Sequence, residues 1–537
     1  MEVIFELDIL GDLCQIIVKL PSLADDNLKN RLLTMSCDET ETIVIGSGFG
    51  GSITASRLAE AGAKVTLFER GPWWDTIPTR SMGVTKRTPF PRGLSLITRS
   101  VRSIDHPLLP WGKTQFNCLG LFELYFSKGM EVVCSSGVGG GSHVYSAVHR
   151  RPASLDYWDG WTDDLSEETM APHYQSFIER VGSTKPEPHN RPPYTAPVVY
   201  ANDKNFEAAI PKVDVRVGFL LPEDPRQPRM VTTSIGVHRH EADYKSGDHG
   251  FLGSPSGAKS SMDIVYLASG MKCGLQVYDL CEVISIEHIA KTGKRFQLHY
   301  YDHKNQRRKS IRSENLFIGA GTFNTLRLLL ESRDKYKGLT GMPNLGHRFS
   351  GNGDIRGYWD LNEKNIDFTL GLPSKGAVVI KGAPEPRIAI GRNSMPSVSA
   401  YPLPRFMRDR LKRGLVVSGM GADAGDGVAL MRGNRFHIEF NPANSPVYDK
   451  IYSTMQEMAR LSGRKIYASR RPSTVHPMGG ACVGKAGEGG VIGSNGQVHG
   501  IPGLYVVDAA AFPSPTASPP TMSIGAWAEN VASRFLK

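Results

Sequence analysis

The stretch ETIVIGSGFGGSITASRLAEAGAKVTLFERG, residues 41–71, decides how the rest of the chain is read. Its first five residues end in a β-branched apolar run, the pattern of a short buried strand. From Gly50 to Ala61, small residues recur with Ile53 and Leu58 at helical spacing, and Gly62 is a natural stop. Lys64 to Phe68 is a second buried strand, closed by Glu69. Gly46, Gly48 and Gly51 form G-x-G-x-x-G between the first strand and the helix. Alone that pattern is weak. Here it follows a strand, opens a helix and meets an acid at the end of the next strand, as a dinucleotide-binding β-α-β unit requires. The glycines permit a tight turn and close backbone approach to a pyrophosphate at the helix N-terminus. Glu69 is placed to bond the adenosine ribose hydroxyls, and its charge would repel a 2′-phosphate.

Similar strand–turn–helix segments return twice. NLFIGAGTFNTLRLLLES (315–332) gives one, and GLYVVDAAAF followed by a proline loop and TMSIGAWAENVASRFLK gives the other at the C-terminus. Between them lie segments of a different kind. LQVYDLCEVISIEHI and RFQLHYYD read as strands of a hairpin, and 346–475 carries alternating strand patterns such as AVVIKG, RIAIG and FHIEF. Residues 72–130 read as long loop with short helices, and 156–257 as polar and irregular. The expected fold is therefore α/β: a discontinuous dinucleotide-binding domain of Rossmann type (36–155, 257–345 and 476–537), with an antiparallel-sheet substrate domain of α+β kind assembled from two insertions (156–256 and 346–475).

The whole chain sets broader bounds. Its 537 residues suffice for two domains with a sizeable core, and 57 glycines with 35 prolines favour a loop-rich enzyme over a helical bundle. A net charge of +10 is spread thinly, with no basic stripe interleaved with aromatics, so no nucleic-acid partner is expected. Cys14, Cys37, Cys118, Cys134, Cys273, Cys281 and Cys482 are an odd number without a C-x-x-C pair, which argues for a reducing, cytoplasmic setting and against a zinc site. The opening MEVIFELDILGDLCQIIVKL has acids where a signal peptide needs basic residues, and no run is long enough to span a bilayer. Residues 1–35 read as an extension without chemistry, with Met35 as an alternative start. Two runs, residues 86–103 and 405–413, mix basic and apolar residues, as a membrane-surface contact or a solvated face would.

Two further motifs carry chemistry. SSGVGGGSHVY (135–145) has no preceding Rossmann strand, so its glycines and Ser142 offer backbone N–H groups to a phosphate or close packing against a flat ring. TVHPMGGACVG (474–484) sets His476 before a proline and paired glycines, in no metal-ligand spacing. A histidine there is either a base near neutral pKa or a structural loop residue.

The glycine fingerprint, GVGGGSHVYSAVHRRP, GAKSSMDIVYL, CEVISI, FIGAGTFNTLRLLLES, GMPNLGHRFSGNGD, HPMGGACVG and GLYVVDAAAFP…PPTMSIGAWAE occur in that order. Together they resemble the cholesterol-oxidase branch of the glucose–methanol–choline oxidoreductases, over about 36–155 and 257–537. The resemblance implies FAD as cofactor, hydride transfer from an alcohol carbon to flavin N5, and His476 as the base. It places Gly137, Gly139, Gly140, Gly141 and Ser142 against the flavin, and lets Gly479 bring the backbone close to the ring. It also puts Asp508 and Ala509 near the ribityl chain and the Val283 backbone at the adenine. A strand-end Asp such as Asp508 is also a common helix cap.

The sequence departs from the family at three places. The family's second polar residue falls on Pro519, which has no donor; Ser518, Ser514, Thr516, Tyr145 and His143 are the candidates to replace it. No clear carboxylate matches the steroid-isomerising acid, Glu385 being the nearest. His143 is one residue out of register with the position of covalent flavin attachment, which favours noncovalent FAD. The expected activity is oxidation of a hydrophobic alcohol, cyclic and steroid-like ones included, with oxygen or another acceptor. The loss at Pro519 keeps a lyase or light-driven decarboxylase on the same fold, or a catalytically silent flavoprotein, as the alternatives.

Overall fold

The structure is a computed structural model that describes residues 38–109, 112–183, 204–209, 213, 215–220, 230–233, 236–239, 250–291, 293–370 and 373–537. The whole N-terminal extension, Cys14 included, lies outside the described residues, as does Cys37. The five described cysteines are free thiols.

Thr42–Ile45, Phe49–Glu60 and Val65–Phe68 form the β-α-β unit, and every residue of both strands is buried. Apolar residues with no more than one buried threonine in each strand are what strands covered on both faces need. These strands sit in a five-stranded parallel sheet in the order Gln276–Tyr278, Val65–Phe68, Thr42–Ile45, Asn315–Ile318, Leu504–Val506. Beginning, middle and end of the chain thus meet in one sheet. The C-terminal helix Thr521–Phe535 packs against Phe49–Glu60 and against Glu167–Val181.

Leu275 to Ile289 is not one strand. Leu280 takes a positive φ of 56°, and the chain turns there from the parallel sheet into an antiparallel meander of Cys281–Lys291, Lys294–Asp302 and Arg307–Ser313.

A six-stranded antiparallel sheet runs in the order Ile466–Ala468, Ile355–Trp359, Leu415–Gly419, Ile390–Ser394, Ser374–Ile380, Phe206–Ala208. Its last strand comes from the earlier insertion and pairs with Ser374–Ile380 of the later one, Val378 opposite Ala208. The FHIEF strand lies elsewhere, in a small sheet of His347–Phe349, Gly427–Arg432 and Arg435–Glu439.

Two regions differ from expectation. Residues 72–130 hold not only short helices but three strands, Val101–Asp105, Lys113–Gln115 and Phe122–Phe126, of a sheet completed by Glu131–Ser135 and Ser473–Thr474. Within 156–257 stands the 15-residue helix Glu167–Val181, opened by a capping box of Ser166 and Thr169 and closed by left-handed Gly182. Each of the two basic–apolar runs holds a surface helix, Leu94–Arg99 and Arg405–Leu411, neither of which buries a residue, while the first run ends in buried Arg102 and Ser103 of a strand. Among the described residues no helix is long and apolar enough to cross a membrane.

Candidate active site

A cavity of about 1830 Å³ extends from the glycine fingerprint to His476. Small-molecule pockets usually measure about 300–1,000 Å³, so this one has room for a cofactor and a substrate together.

At the fingerprint, Gly46 has φ +89°, and a Cβ there would stand 2.4 Å from the Gly319 carbonyl. A Cβ on Gly51 would stand 1.9 Å from the Gly46 carbonyl. Gly48 differs: nothing lies within 4 Å of its missing Cβ, and it caps the N-terminus of the Phe49–Glu60 helix. The first N–H groups of a helix have no intrahelical acceptor, and the dipole there is positive. Open space in front of such donors fits a pyrophosphate.

The second glycine loop touches the first, since a Cβ on Gly140 would lie 2.6 Å from the Gly48 Cα. Gly140 and Gly141 line the cavity, whereas Gly137, Gly139 and Ser142 do not. Gly137 leaves room for the Trp74 indole, 2.0 Å from where its Cβ would be. The Ser142 hydroxyl donates to the Gly139 carbonyl at 2.6 Å and accepts from Met262 N–H at 2.9 Å, so it shapes the loop from behind and does not reach a phosphate.

Glu69 does line the cavity. Its Oε2 accepts from Ser47 N–H at 3.1 Å and the Ser47 hydroxyl at 2.7 Å; its Oε1 accepts from Gly71 N–H at 2.8 Å and Gly137 N–H at 3.2 Å. These donors fill the carboxylate. A ribose hydroxyl would take the place of the Ser47 hydroxyl, which has the Gly137 carbonyl 3.3 Å away as a second acceptor. Val283 also lines the cavity, on the outer strand of the meander at a register shift, where a strand edge leaves backbone groups unpaired. Asp508 and Ala509 line it as well. Asp508 accepts from Gly321 N–H and Thr325 Oγ1 on one oxygen and from Ala510 N–H on the other, so it is both a cavity residue and the cap of the short turn Ala509–Ala511. Burial outweighs these bonds and pushes its carboxyl up to about 6. Phosphate cradle, ribose-facing acid and free strand edge together fit FAD.

At the other end, Ser473–Thr474 pairs with Glu131–Val132 and delivers His476 to the cavity wall two residues later. His476 Nδ1 bonds both oxygens of Asp354, at 2.9 and 3.1 Å. Asp354 also accepts from Thr474 Oγ1 at 3.0 Å and Val475 N–H at 3.2 Å. An acid on Nδ1–H leaves Nε2 as the free acceptor. Asp354 ends a turn held by buried Asp423, which accepts from Ser350 Oγ, Gly351 N–H and Tyr448 OH. Sequence reasoning missed Asp354, although it closes the quoted GMPNLGHRFSGNGD motif; the pair is 122 residues apart in the chain.

Pro519, Pro520 and Thr521 line the cavity at the start of the last helix. The hydroxyls expected to stand in for a side chain at Pro519 do not. Ser518 is fully buried and donates to the Arg151 carbonyl at 2.9 Å. Thr516 donates to the Ser518 carbonyl, and Ser514 is absent from the cavity wall. Tyr145 lines the cavity, but its hydroxyl donates to the Ser260 carbonyl at 3.2 Å and meets His149 Nε2 at 3.3 Å. His143 is buried away from the cavity, its Nε2 bonding the Val138 carbonyl and its ring beside Phe90. Gly479, with φ +79°, makes room for the Arg348 carbonyl and does not border the cavity. Glu385 is exposed and pairs with Arg387.

A buried charge network borders the end of the cavity that holds Glu69 and Val283. Glu123 meets Arg70 at 2.5 Å, Lys113 at 2.8 Å and Arg327 at 3.5 Å. Glu282 meets Arg102 at 2.7 Å and His303 at 2.9 Å. Burial alone would raise the Glu123 carboxyl; Arg70, Lys113 and Arg327 more than reverse this and hold it well below the ordinary range.

Comparison with known proteins accords with this geometry. The family model described as GMC oxidoreductase matches residues 409–528, and that of an NAD(P)-binding Rossmann-like domain matches 44–77. A cholesterol oxidase of Mycobacterium tuberculosis (strain CDC 1551 / Oshkosh) is 24% identical, covering 92% of this chain and 90% of its own length. A cholesterol oxidase of Acinetobacter baumannii is 23% identical over 93% and 95% of the two chains. A 2-methyl-1,2-propanediol dehydrogenase of Mycolicibacterium austroafricanum is 23% identical over 92% and 95%. Among solved structures, a pyridoxine 4-oxidase from Mesorbium loti superposes with a TM-score of 0.52 at 15% identity, over 92% of this chain and 99% of that one, which shows a shared fold.

Proposed function

Because this chain belongs to the glucose–methanol–choline oxidoreductases, FAD-dependent enzymes acting on CH–OH groups, we propose that it oxidises a hydrophobic alcohol to a carbonyl compound with His476 as the base. The observation that carries this reading is the His476–Asp354 pair on the cavity wall. Bound FAD supplies the two-electron acceptor. Asp354 fixes the Nδ1–H tautomer, so Nε2 takes the hydroxyl proton as the C–H bond is broken. The imidazolium formed is stabilised by the same carboxylate. Pro519 offers no second polar group, which leaves orientation of the alcohol to the rest of the cavity.

Support for a substrate with a hydrophobic part comes from the antiparallel sheet and the residues flanking its strands, which lend Ala377, Ala389, Val416 and Met420 to the wall beside Ser374, Asn393 and Ser418. The names of the curated relatives favour alcohols ranging from a sterol to a small diol. His476 and Asp354 serve either.

The test is the visible spectrum of the FAD-loaded protein under anaerobic addition of primary, secondary and steroid alcohols. Bleaching by one of them is expected, and His476→Ala should keep the flavin yet slow bleaching by ~10²–10⁴-fold. A flavin that none bleaches, or an alanine variant as fast as the parent, would overturn the reading. Peroxide release in air reports whether dioxygen is the acceptor.

A further inference from the structure

The strand Val148–Arg150 alternates as strands do: Val148 and Arg150 line the cavity, and His149 is buried on the other side. The Arg150 side chain has no hydrogen bond or ion pair among the described residues, and its Nε is buried without a partner. Its neighbour makes the contrast. Arg151 has Glu167 at 3.7 Å and lies over the Tyr174 ring at 4.4 Å. Only burial acts on Arg150, and it lowers the guanidinium pKa. An arginine does not discharge to escape that penalty.

Arg150 stands at the His476 end. The Arg151 carbonyl accepts from Ser518, and Ala153 N–H donates to the Thr516 carbonyl, which straps this segment to the loop ending in Pro519 and Pro520. The Ser518 carbonyl in turn accepts from Asn352, two residues before Asp354. Of the other guanidiniums that line the cavity, Arg356 is the one tied to the His476 segment. Arg356 follows Asp354 by two residues and donates one Nη to Ser473, three residues before His476. It lies in the field of Asp354 and Glu131, so its charge is already partly answered.

We propose that the substrate alcohol carries a carboxylate, and that Arg150, with Arg356 assisting, receives it while the hydroxyl meets His476. This rests on the alcohol-oxidation reading and narrows it to an amphiphilic hydroxy acid. Among the described residues Arg150 is a half-buried cation with no acid beside it, and it calls for one negative charge, which a carboxylate supplies and a phosphate ester at neutral pH exceeds. A guanidinium fork also matches a carboxylate geometrically. The fixed anion would do the orienting that the family's second polar residue does elsewhere.

The experiment uses the FAD-loaded enzyme, Arg150→Met and Arg150→Lys. Turnover probes are 12-hydroxydodecanoate, lithocholate and 4-(hydroxymethyl)benzoate, each beside its methyl ester; binding probes are dodecanoate and cholanate beside theirs, followed by perturbation of the flavin spectrum. At least one acid should be preferred to its ester by ~10- to 100-fold in kcat/KM or in affinity, Arg150→Met should erase that preference, and Arg150→Lys should restore part of it. Esters bleaching the flavin as well as acids would overturn the carboxylate and leave alcohol oxidation standing. Acids that bind but never bleach, with binding lost in Arg150→Met, would uphold the anion site and sink the oxidation reading. No binding of either acid at ~1 mM, with no acid turned over, overturns the proposal.

Discussion

Two stretches that border the cavity treat charge in opposite ways. Around Glu123 and Glu282, Arg70, Arg102, Lys113 and Arg327 are each within 4 Å of a carboxylate. Along Val148–Arg150, two basic side chains stand without an acid within ion-pair distance among the described residues. The first arrangement is complete in the protein itself, so it reads as scaffold. In the second, the two residues respond differently to the same lack. His149 sheds its proton: burial pushes its imidazole down to about 3. Arg150 keeps its charge and faces the cavity. Unpaired basicity thus marks a binding site only where the group cannot neutralise itself and has an opening in front of it.

The largest expected effect tests the neutral half of that contrast. His149 bonds the Ser183 hydroxyl and Tyr145, and no carboxylate acts on it. Between pH 6.5 and about 3 the unfolded chain holds a proton on this residue that the folded chain refuses. Stability is therefore lost as pH falls through that window, by roughly 5 kcal/mol if the whole range is traversed. His149→Asn should flatten the acid limb of stability against pH, whatever it costs at neutrality. An unchanged limb would mean that His149 is charged in the fold, and the contrast with Arg150 would fail.

Next in size is the paired wall. Glu123→Gln keeps the shape of the side chain and leaves Arg70 and Lys113 short of their acid. Breaking a buried ion pair from one side costs about 3–5 kcal/mol. Denaturant unfolding should show that loss. Retention of parental stability would reduce the network to ordinary surface pairing.

The same charges explain what the sequence did and did not disclose. The fingerprint was legible because Gly46, Gly48, Gly51 and Gly140 occupy sites where a Cβ would strike backbone or fill the cradle, and such constraints leave glycine as their trace. The sheet through Val101–Ser135 was not. Phe122–Phe126 turns Phe122, Leu124 and Phe126 to the cavity and buries the Glu123 carboxylate away from it, so a charged position is an inner one and the usual alternation is inverted. His476 could be singled out by its motif, but its partner Asp354 is brought to it only by the turn that Asp423 ties down. The failure of Ser518 and Tyr145 as substitutes at Pro519 has a like cause. A hydroxyl's direction is set by distant carbonyls, those of Arg151 and Ser260, that leave no mark nearby in the chain.

The smallest expected effect is the sharpest for the comparison, because its sign differs between the two walls. Removing one charge from the Glu123 network exposes others, whereas Arg150→Met removes a cation that has no partner to strand. The methionine keeps the apolar stem against the wall and spares the guanidinium its desolvation. In FAD-loaded protein without substrate, Arg150→Met should therefore be unchanged or more stable, by about 1 kcal/mol, with a higher melting midpoint. A clear loss of stability would mean that Arg150 is answered inside the protein, as Arg70 and Arg102 are. It would then belong with the scaffold, and the case for an anion in the cavity would rest on the acid–ester preference alone.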